Sequence, residues 1–444
     1  MLVPKIALTP SKSENDTFAQ FNAIQKLSIL SQVFATVDTI PSLNVLEPET
    51  TRSSRFCQLL ASCRVILGPF RIAQLETAID YLDQSVHTVL FDVDEGEFES
   101  ITQLDAIPSH RIVLRLRVDT ATLIKSCDTT VKQLQSLSKT SSGFILSIPD
   151  FPQANEADRI FEIIQKIRSE LKQSIYFGIE LNCNSQNQSL IPFVALLHRK
   201  NVHVIAPASY EPIETPDRLN ACEAFIKCAR SDRPDGLFTT VVVDEAGTAL
   251  GLVYSSEESL RESFNTGFGV YYSRSRKQLW RKGETSGNVQ LLLQLDLDCD
   301  NDAVRFTVRQ SGVGFCHLDQ TSCWGQATGL RSLEKMLQSR AENAPVGSYT
   351  KRLLEDTELL RDKLVEEAQE LAEAESKEEV AGEAADLLYF LMVKCIAAGI
   401  SLTDIEKQLD KRSLKVKRRA GNSKAYRIEA AEVILNKRQK HNDC

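Results

Sequence analysis

The first 230 residues alternate short apolar runs with amphipathic stretches, and this alternation restricts the fold more than any other feature. Six runs have strand character: RVILGPF (64–70), HTVLFDV (87–93), RIVLRLRV (111–118), GFILSIPD (143–150), SIYFGIELN (174–182) and VHVIAPAS (202–209). Helical patterns such as NEADRIFEIIQKIRSELKQ separate them. Repeated βα units predict an α/β domain over residues 1–230 with a mostly parallel sheet. The pattern does not decide whether that sheet is a closed barrel or an open sheet.

Carboxylates follow two of these runs, at Asp92, Asp94 and Glu95 and at Glu180. They are candidates for a strand-end site, although single carboxylates at such positions are more often helix caps or loop residues. The region contains neither GxGxxG nor a P-loop, so it has no nucleotide-binding motif of those kinds. We therefore assign no function to residues 1–230 and expect a structural or assembly role.

The chain is multidomain, because 444 residues are too many for one ordinary domain. The polar break SDRPDG (231–236) predicts a boundary after residue 230. Residues 231–325 follow as a compact, mainly β, α+β domain with mostly antiparallel strands. Residues 331–425 have helical periodicity and predict an all-α domain, and residues 426–444 form a basic tail.

Composition excludes several function classes. The net charge of −8 gives no general support for nucleic-acid binding. No apolar run reaches the roughly 20 residues that span a bilayer, so no membrane partner is expected. The amino terminus lacks a signal-peptide core, which favours a cytoplasmic protein. The 11 cysteines are then expected to be thiols or metal ligands rather than disulfides.

The segment DLDCDND holds closely spaced carboxylates around one thiol. In an extended strand, Asp296, Asp298 and Asp300 share a face that Asp302 continues, and Cys299 points to the other face. Carboxylate oxygens suit Mg²⁺, whereas a thiolate suits Zn²⁺. The segment is therefore a candidate for two metal sites back to back, and the alternative is a solvated acidic turn.

Two more thiols, Cys316 and Cys323, follow within 25 residues of Cys299, and His317 is adjacent to Cys316. Three protein ligands with an open position are typical of catalytic zinc. Such an ion lowers the pKa of bound water to about 7. The alternative is three buried thiols without a metal.

The stretch SRSRKQLWRKGETSGN carries cations and a glycine-bounded turn. As strand residues, Arg274 and Arg276 would present two guanidinium groups on one face for phosphate. The GETSGN turn offers backbone N–H groups and small polar side chains to phosphate, and Trp280 is a candidate for stacking on a base. The remaining substrate-binding candidates are Lys282, Ser286 and Asn288. A basic surface strand with a packed Trp is the plainer interpretation.

In the helical region, EEAQE (366–370) and EAAD (383–386) place carboxylates at i,i+3 and i,i+4 spacings. Two facing helices would gather these side chains around Mg²⁺, where they would hold a polyphosphate and activate water. Glu-rich helices are usually solvated, but EAAD lies in apolar sequence, where buried carboxylates need a partner. The candidate ligands are Glu366, Glu367, Glu370, Glu383 and Asp386.

Three motifs in order, SRSRKQLWRKGETSGN, LDCDNDA and CHLDQTSC, make residues 232–325 resemble phosphoribosyl-AMP cyclohydrolase. Residues 333–410 resemble phosphoribosyl-ATP pyrophosphohydrolase, whose EExxE…ExxD pattern the helical carboxylates match. Together they resemble the fungal-type bifunctional enzyme of histidine biosynthesis. A histidinol dehydrogenase follows in related trifunctional proteins, and because the chain stops at Cys444 that activity is not expected.

The resemblance implies two consecutive hydrolyses. Phosphoribosyl-ATP would give phosphoribosyl-AMP and pyrophosphate with Mg²⁺ in the helical domain, where Glu367 and Glu370 are the catalytic candidates. Zinc hydroxide would then open the adenine ring at the N1–C6 bond. His317 is our candidate for proton transfer and Glu284 the second.

The resemblance also implies the ligand sets and a partner. Zinc would be held by Cys316 and Cys323 with Cys299 from the other subunit of a homodimer. Magnesium would be held by Asp298, Asp300 and Asp302. The alternatives are a general nucleoside-triphosphate pyrophosphatase with a zinc-stabilised interaction module, and an interaction protein whose enzyme domains have decayed.

Overall fold

The computed structural model describes residues 1–8, 14–37, 63–148, 154–172, 174–181, 190–211, 217–325, 328–417 and 424–442. These residues belong to two compact units. The first contains Met1–Cys323 with Leu414–Lys417, and the second contains Trp324–Ser413 with Arg418–Cys444. The units divide near residue 324, and the predicted boundary after residue 230 lies inside the first unit and stays a prediction.

Eight parallel strands form a closed barrel in the first unit. They are β1 (Leu2–Leu8), β2 (Val33–Val37), β3 (Val65–Phe70), β4 (Thr88–Val93), β5 (Ile112–Arg117), β6 (Gly143–Ile148), β7 (Tyr176–Leu181) and β8 (His203–Ser209). Each pairs with the next, and residues 2–5 of β1 pair with residues 204–207 of β8. That last pairing closes the sheet. The last six strands lie on predicted apolar runs, whereas β1 and β2 were not predicted.

Helices follow the strands and pack on the outer face of the barrel. Within the described ranges they are α1 (Glu14–Ser28), α2 (Leu75–Asp83), α3 (Thr120–Lys125), α4 (Cys127–Leu137), α5 (Ala154–Glu170), α6 (Ile191–His198) and α7 (Ala221–Cys228). A two-residue strand, β9 (Leu219–Asn220), pairs in parallel with the end of β8. Apolar helix residues such as Ala78 and Ile79 join strand residues such as Val89 and Phe91 in one large core. Burial of these amphipathic faces is what fixes the helices on the barrel.

The barrel interior is apolar in its middle layer. One residue from each of seven strands forms a separate buried cluster: Val3, Phe34, Ile66, Leu90, Val113, Ile145 and Ile205. Tyr176 of β7 packs against this cluster and stacks on His203, with the ring centroids 4.5 Å apart. Because strand side chains alternate, the neighbours of these residues face the helices instead.

A charged layer lies two residues further along the strands, toward their carboxyl ends. Arg115 donates to Asp92 at 2.6 and 2.9 Å and to Glu180 at 3.0 Å, and Lys5 lies 2.6 Å from Glu180. Burial alone would raise the pKa of Glu180, but Arg115 and Lys5 hold that pKa below its usual value. Asp92 and Glu180 are therefore buried ion-pair partners rather than helix caps.

The second fold of this unit is a four-stranded mixed sheet. Its strands are β10 (Phe238–Val243), β11 (Ala249–Ser255), β14 (Gln290–Leu297) and β15 (Ala303–Gln310), in the order β11-β10-β15-β14. Only the central β10–β15 pair is parallel. A hairpin of β12 (Val270–Ser273) and β13 (Gln278–Arg281) lies beside it. The predicted mainly antiparallel character agrees with this arrangement.

The helix α8 (Glu257–Thr266) connects β11 to β12 and is defined by its ends. Ser256 accepts from the backbone N–H of Ser259 at 3.1 Å at the start. Gly267 ends the helix with φ 76°, a left-handed conformation that glycine adopts at little cost.

The barrel contacts the mixed sheet directly. The backbone N–H of Leu295 in β14 donates to the carbonyl of Ile29 at 2.7 Å. Arg261 of α8 makes a two-bond ion pair with Glu223 of α7, at 2.6 and 2.9 Å. The barrel therefore packs directly against the mixed-sheet fold.

The second unit is helical, as predicted. It comprises α9 (Gly329–Asn343), α10 (Tyr349–Glu355), α11 (Thr357–Glu373), α12 (Lys377–Ala397), α13 (Leu402–Ser413) and α14 (Ala425–Asn442). Its core consists of Leu337, Leu353, Leu360, Phe390, Met392 and Val393. The helix α14 covers most of the predicted basic tail, whose assignment stays a prediction.

Two helices of the second unit begin with reciprocal side-chain caps. Ser376 and Glu379 exchange hydrogen bonds at 3.1 and 3.0 Å at the start of α12, and Ser401 and Asp404 do so at 3.2 and 3.0 Å before α13. Among the described helices, no single one is long and apolar enough to cross a membrane. By length and composition alone, the bent pair of α12 and α13 passes that test together.

Candidate active sites

The acidic segment is a loop rather than a strand. β14 ends at Leu297 and β15 begins at Ala303. The loop ends are joined because the Asp298 backbone N–H donates to the Ala303 carbonyl and the Ala303 backbone N–H donates to the Asp298 carboxylate, both at 3.1 Å. The structure brings Asp298, Asp300 and Asp302 together, with one carboxylate oxygen from each within 4.8 Å of the others. Here this set is called the loop carboxylates.

Asp296 does not belong to this group, which corrects the predicted four-carboxylate face. It lies within β14, opposite Arg305 of β15, and the Arg305 guanidinium donates to it at 2.8 Å. Strand alternation thus does not create the cluster. The turn between β14 and β15 does, because it folds the three later carboxylates toward one another.

Electrostatics shows that the loop carboxylates repel one another. The Asp300 carboxylate is the main reason that the pKa of Asp302 lies above its usual value, and Asp298 adds to the effect. A divalent cation relieves such repulsion, and hard carboxylate oxygens are the ligands that Mg²⁺ prefers. The donor set therefore fits a magnesium ion.

Cys316 and Cys323 lie next to each other. Their thiols hydrogen-bond, and burial together with Cys316 raises the pKa of Cys323. The chain segment around them is pinned by backbone hydrogen bonds, one from Cys316 to Gln320 at 3.1 Å and one from Cys323 to Leu250 at 2.8 Å. Two soft ligands on one side of a site suit zinc.

Cys299 is exposed in the acidic loop. Among the described residues, the sets of three or more possible metal ligands that converge within one chain are both made of carboxylates, so Cys299 does not join the other two thiols there. His317 and Glu284, the predicted proton-transfer residues, are both exposed.

Lys282 is buried beside the two thiols, at 7% exposure. Its ammonium lies 5.0 Å from the centre of the Phe315 ring and 5.6 Å from that of Trp280. Burial lowers the pKa of Lys282, and the neighbouring cysteines oppose that effect. The amine is therefore held close to the Cys316–Cys323 pair.

The two arginines predicted to share a strand face lie in the turn between β12 and β13, which corrects that prediction. Both are exposed, and the Arg274 guanidinium stacks over Tyr254, 3.9 Å from the ring centre. Trp280 is half-buried and packs against Tyr271. This supports the plainer packing interpretation for Trp280 and leaves Arg276 accessible to a ligand.

Asn288 and Ser286 differ within the GETSGN turn. Ser286 is exposed, whereas Asn288 is buried and accepts from the backbone N–H of Val313 at 3.1 Å. The Gln310 amide also donates to the Asn288 carbonyl at 3.1 Å. Asn288 thus ties two loops together, with its side-chain oxygen already in use.

The helical unit holds a second group of carboxylates, here called the helical carboxylates. Oxygens of Glu367 on α11 and of Glu383 and Asp386 on α12 lie within 4.8 Å of one another. Glu367 is 4% exposed. The facing-helix geometry expected from the spacing is present for these three residues.

The other two predicted ligands border this group. Burial raises the pKa of Glu370, and repulsion from Glu367, Glu366 and Glu383 adds to that rise. Lys363 ion-pairs with Glu366 at 2.8 Å and also with Glu367. Five carboxylates and one ammonium leave a net charge of −4, which again fits a cation.

Sequence reasoning missed three residues that shape these sites: Lys363, Asn301 and His198. Lys363 sits three and four residues before Glu366 and Glu367, a spacing that predicts helix ion pairs. Asn301 was part of DLDCDND but carries no charge. His198 lies on α6 of the barrel, where burial lowers its pKa to about 4, and no local pattern links it to the acidic loop.

Comparison with known proteins gives a family for each of the two regions. Residues 251–325 match phosphoribosyl-AMP cyclohydrolase, and residues 330–413 match phosphoribosyl-ATP pyrophosphohydrolase. The loop carboxylates and the thiol pair fall in the first match, and the helical carboxylates fall in the second.

Curated relatives match about half of this chain. The histidine biosynthesis bifunctional protein his7 of Schizosaccharomyces pombe is 50% identical over 239 residues, which are 52% of this chain and 57% of that protein. The histidine biosynthesis trifunctional protein of Neurospora crassa is 57% identical over 195 residues, 44% of this chain and 22% of that protein. The chain thus spans little more than half of the first relative's length and under a quarter of the second's.

A third relative is matched almost end to end. The histidine biosynthesis bifunctional protein HisIE of Pyrococcus furiosus is 35% identical over 205 residues, which are 43% of this chain and 98% of that protein. On that coverage, the chain belongs to the family of bifunctional histidine biosynthesis proteins that join a phosphoribosyl-AMP cyclohydrolase to a phosphoribosyl-ATP pyrophosphohydrolase.

Proposed function

We propose that this chain catalyses two consecutive hydrolyses in histidine biosynthesis. The helical unit converts phosphoribosyl-ATP to phosphoribosyl-AMP and pyrophosphate, and the mixed-sheet fold then opens the adenine ring between N1 and C6. The observation that carries the proposal is that each family region contains its own convergent set of three carboxylates. A cation site in each region is what two metal-dependent hydrolyses require.

In the helical unit, Glu367, Glu383 and Asp386 would hold Mg²⁺, with Glu366 and Glu370 at its border. Bound magnesium neutralises polyphosphate oxygens and positions the phosphorus for attack by water. Glu370 is proposed to accept the proton of the attacking water, and burial with repulsion from the neighbouring carboxylates raises its pKa in the direction that favours this role. The Lys363 ammonium lies beside the carboxylate oxygens of this set, and it is proposed to stabilise the negative charge on the leaving pyrophosphate.

In the mixed-sheet fold, Asp298, Asp300 and Asp302 would hold Mg²⁺, and Cys316 and Cys323 would hold zinc. Bound zinc lowers the pKa of its water so that a nucleophile forms at neutral pH. Cys299 of a second copy is the proposed third ligand in a homodimer. The exposed position of Cys299 supports that assignment, because an intermolecular ligand has to be accessible.

The remaining predicted residues are proposed to handle substrate and protons. Arg276 and Ser286 are exposed and are proposed to bind the substrate phosphate, with Arg274 beside them over Tyr254. His317, exposed next to Cys316, is proposed to transfer the proton during ring opening, with Glu284 as the alternative. Lys282 is buried beside the thiols, and its ammonium is proposed to stabilise their negative charge when they are deprotonated.

The test follows both products from phosphoribosyl-ATP with Zn²⁺ and Mg²⁺ present. Pyrophosphate release followed by the absorbance change of ring opening is expected. Cys316→Ala should abolish ring opening and spare pyrophosphate release, whereas Glu370→Ala should slow pyrophosphate release and leave added phosphoribosyl-AMP reactive. Release of pyrophosphate from ordinary nucleoside triphosphates, with no ring opening, would favour the general pyrophosphatase instead.

A further inference from the structure

The acidic loop is held from outside its own fold. Nε2 of His198, at the end of α6 in the barrel, lies 2.7 Å from the side-chain oxygen of Asn301. The backbone N–H of Arg230 donates to the carbonyl of Asn301, also at 2.7 Å. Asn301 is thus bound on both its side chain and its main chain, and it is only 7% exposed although its neighbours in the loop are exposed or half-buried.

Because of where Asn301 lies in the loop, these contacts also restrain its acidic neighbours. It lies between Asp300 and Asp302, so holding its backbone restrains the backbone positions from which both carboxylates extend. Its φ is 70°, in the left-handed region that asparagine tolerates better than most residues. A loop of five residues that gathers three repelling carboxylates would spread apart unless something restrained it.

We propose that His198 is a positioning residue for the acidic loop: its Nε2–H donates to Asn301 and so holds Asp298, Asp300 and Asp302 ready for a divalent cation. This inference rests on the proposed function, in which the loop carboxylates bind that cation. The barrel then has a specific role in this site. The helix α6 packs on the closed sheet and therefore holds the His198 imidazole in a fixed position. A loop tethered to such a support pays less ordering cost on binding than a free loop.

The experiment measures Mn²⁺ binding to the full chain by electron paramagnetic resonance, in a parent variant with Glu383→Gln and Asp386→Asn to weaken the helical site. Asp300→Asn in that parent should remove the remaining loop-dependent binding. His198→Leu should weaken Mn²⁺ binding about three- to tenfold, the effect of losing one buried hydrogen bond. His198→Gln, which retains an N–H donor, should restore binding to within about twofold of the parent.

Two further variants separate positioning from general damage. His203→Phe is the matched control, because its ring can still stack on Tyr176 inside the barrel, and it should leave Mn²⁺ affinity unchanged. Asn301→Gly tolerates the left-handed φ, removes the acceptor, and tests the same contact if His198→Leu does not fold. The double variant should bind no more weakly than the weaker single variant, since both remove one interaction.

The outcomes separate a failure of the proposed cation site from a failure of the positioning role of His198. If Asp300→Asn leaves Mn²⁺ binding unchanged, the loop is not a cation site and the proposed function fails there. If Asp300→Asn abolishes binding but His198→Leu and Asn301→Gly bind like the parent, only the positioning role is overturned. Additive losses from the two variants would also overturn it, because they would show independent effects.

Discussion

Neutralising Glu383 should make the helical unit more stable without metal and less responsive to metal. Glu383 shares its group with Glu367 and Asp386, at oxygen separations within 4.8 Å. Lys363 pairs with Glu366 and Glu367 on α11, which leaves the carboxylates of α12 as the less compensated side. Glu383→Gln keeps the shape of the side chain and removes one of the repelling charges.

The magnitude follows from Coulomb's law. At 4.8 Å, two carboxylates repel by about 0.9 kcal/mol in bulk water and about 3.5 kcal/mol at an effective dielectric constant near 20. Glu367 is buried and Glu383 half-buried, so the Glu367–Glu383 pair lies between these limits. After screening, we expect Glu383→Gln to raise the local free energy of unfolding by about 1–2 kcal/mol in EDTA.

Magnesium should reverse this order. A cation at 100 times its dissociation constant stabilises the wild-type unit by about 2.7 kcal/mol, and the variant should lose most of that gain. Hydrogen exchange of α11 and α12, followed by mass spectrometry with EDTA or Mg²⁺, measures both effects in the full chain. Glu378→Gln is the matched control, because it makes the same change at an exposed position of α12 that lies outside the Glu367, Glu383 and Asp386 group.

Two results would refute the reasoning. The first is a Glu383→Gln variant that is less stable than wild type in EDTA, since the carboxylates would then be net stabilising without a cation. The second is an undiminished Mg²⁺ stabilisation in that variant, because magnesium would then bind elsewhere. Glu378→Gln should leave the Mg²⁺ response intact in either case.

Three further predictions concern the first unit. Arg115→Met should destabilise it by about 3–5 kcal/mol in urea unfolding, because Asp92 and Glu180 become unpaired buried charges; a loss under 1 kcal/mol would contradict this. The folded-state pKa of Glu180 is depressed, so its stabilisation is present above the unfolded pKa of about 4.3 and disappears as pH falls through the folded value. Unfolding measured from about pH 6 to 3 should show this slope, and Glu180→Gln should flatten it. Asn288→Ala should lower the free energy of unfolding by about 1–3 kcal/mol, because the Val313 N–H loses its acceptor. A raised KM with unchanged stability would instead identify Asn288 as a substrate contact.

The barrel was only partly predictable because its missing strands do not look like buried strands. β1 reads LVPKIAL, and its interior-facing Lys5 interrupts the apolar run. That lysine is explained only by Glu180, which is 175 residues away and 2.6 Å distant. β2 is five residues long and offers little periodicity. Closure of the barrel depends on pairing between the first and last strands, which no local pattern contains.

The two candidate sites also differ in how far local sequence predicts them. The helical carboxylates were predictable in composition and geometry because i,i+3 and i,i+4 spacing fixes which side chains share a helix face. The loop carboxylates were predictable in composition alone. Strand alternation placed Asp296 among them, but the end of β14 at Leu297 excludes it. Turn geometry and cross-strand pairing to Arg305 decide this, and neither is readable from the motif.

The two carboxylate groups therefore depend on the chain in different ways. Glu367, Glu383 and Asp386 are placed by two adjacent helices, so their geometry is encoded within about 20 residues of sequence. The loop carboxylates lie in a turn in which Asn301 is bound by a histidine 103 positions earlier. Packing changes inside the barrel should then reach the acidic loop through α6. Substitutions in the barrel that disturb His198 are accordingly expected to alter ring opening more than pyrophosphate release, and that asymmetry would reveal the proposed positioning role of the barrel.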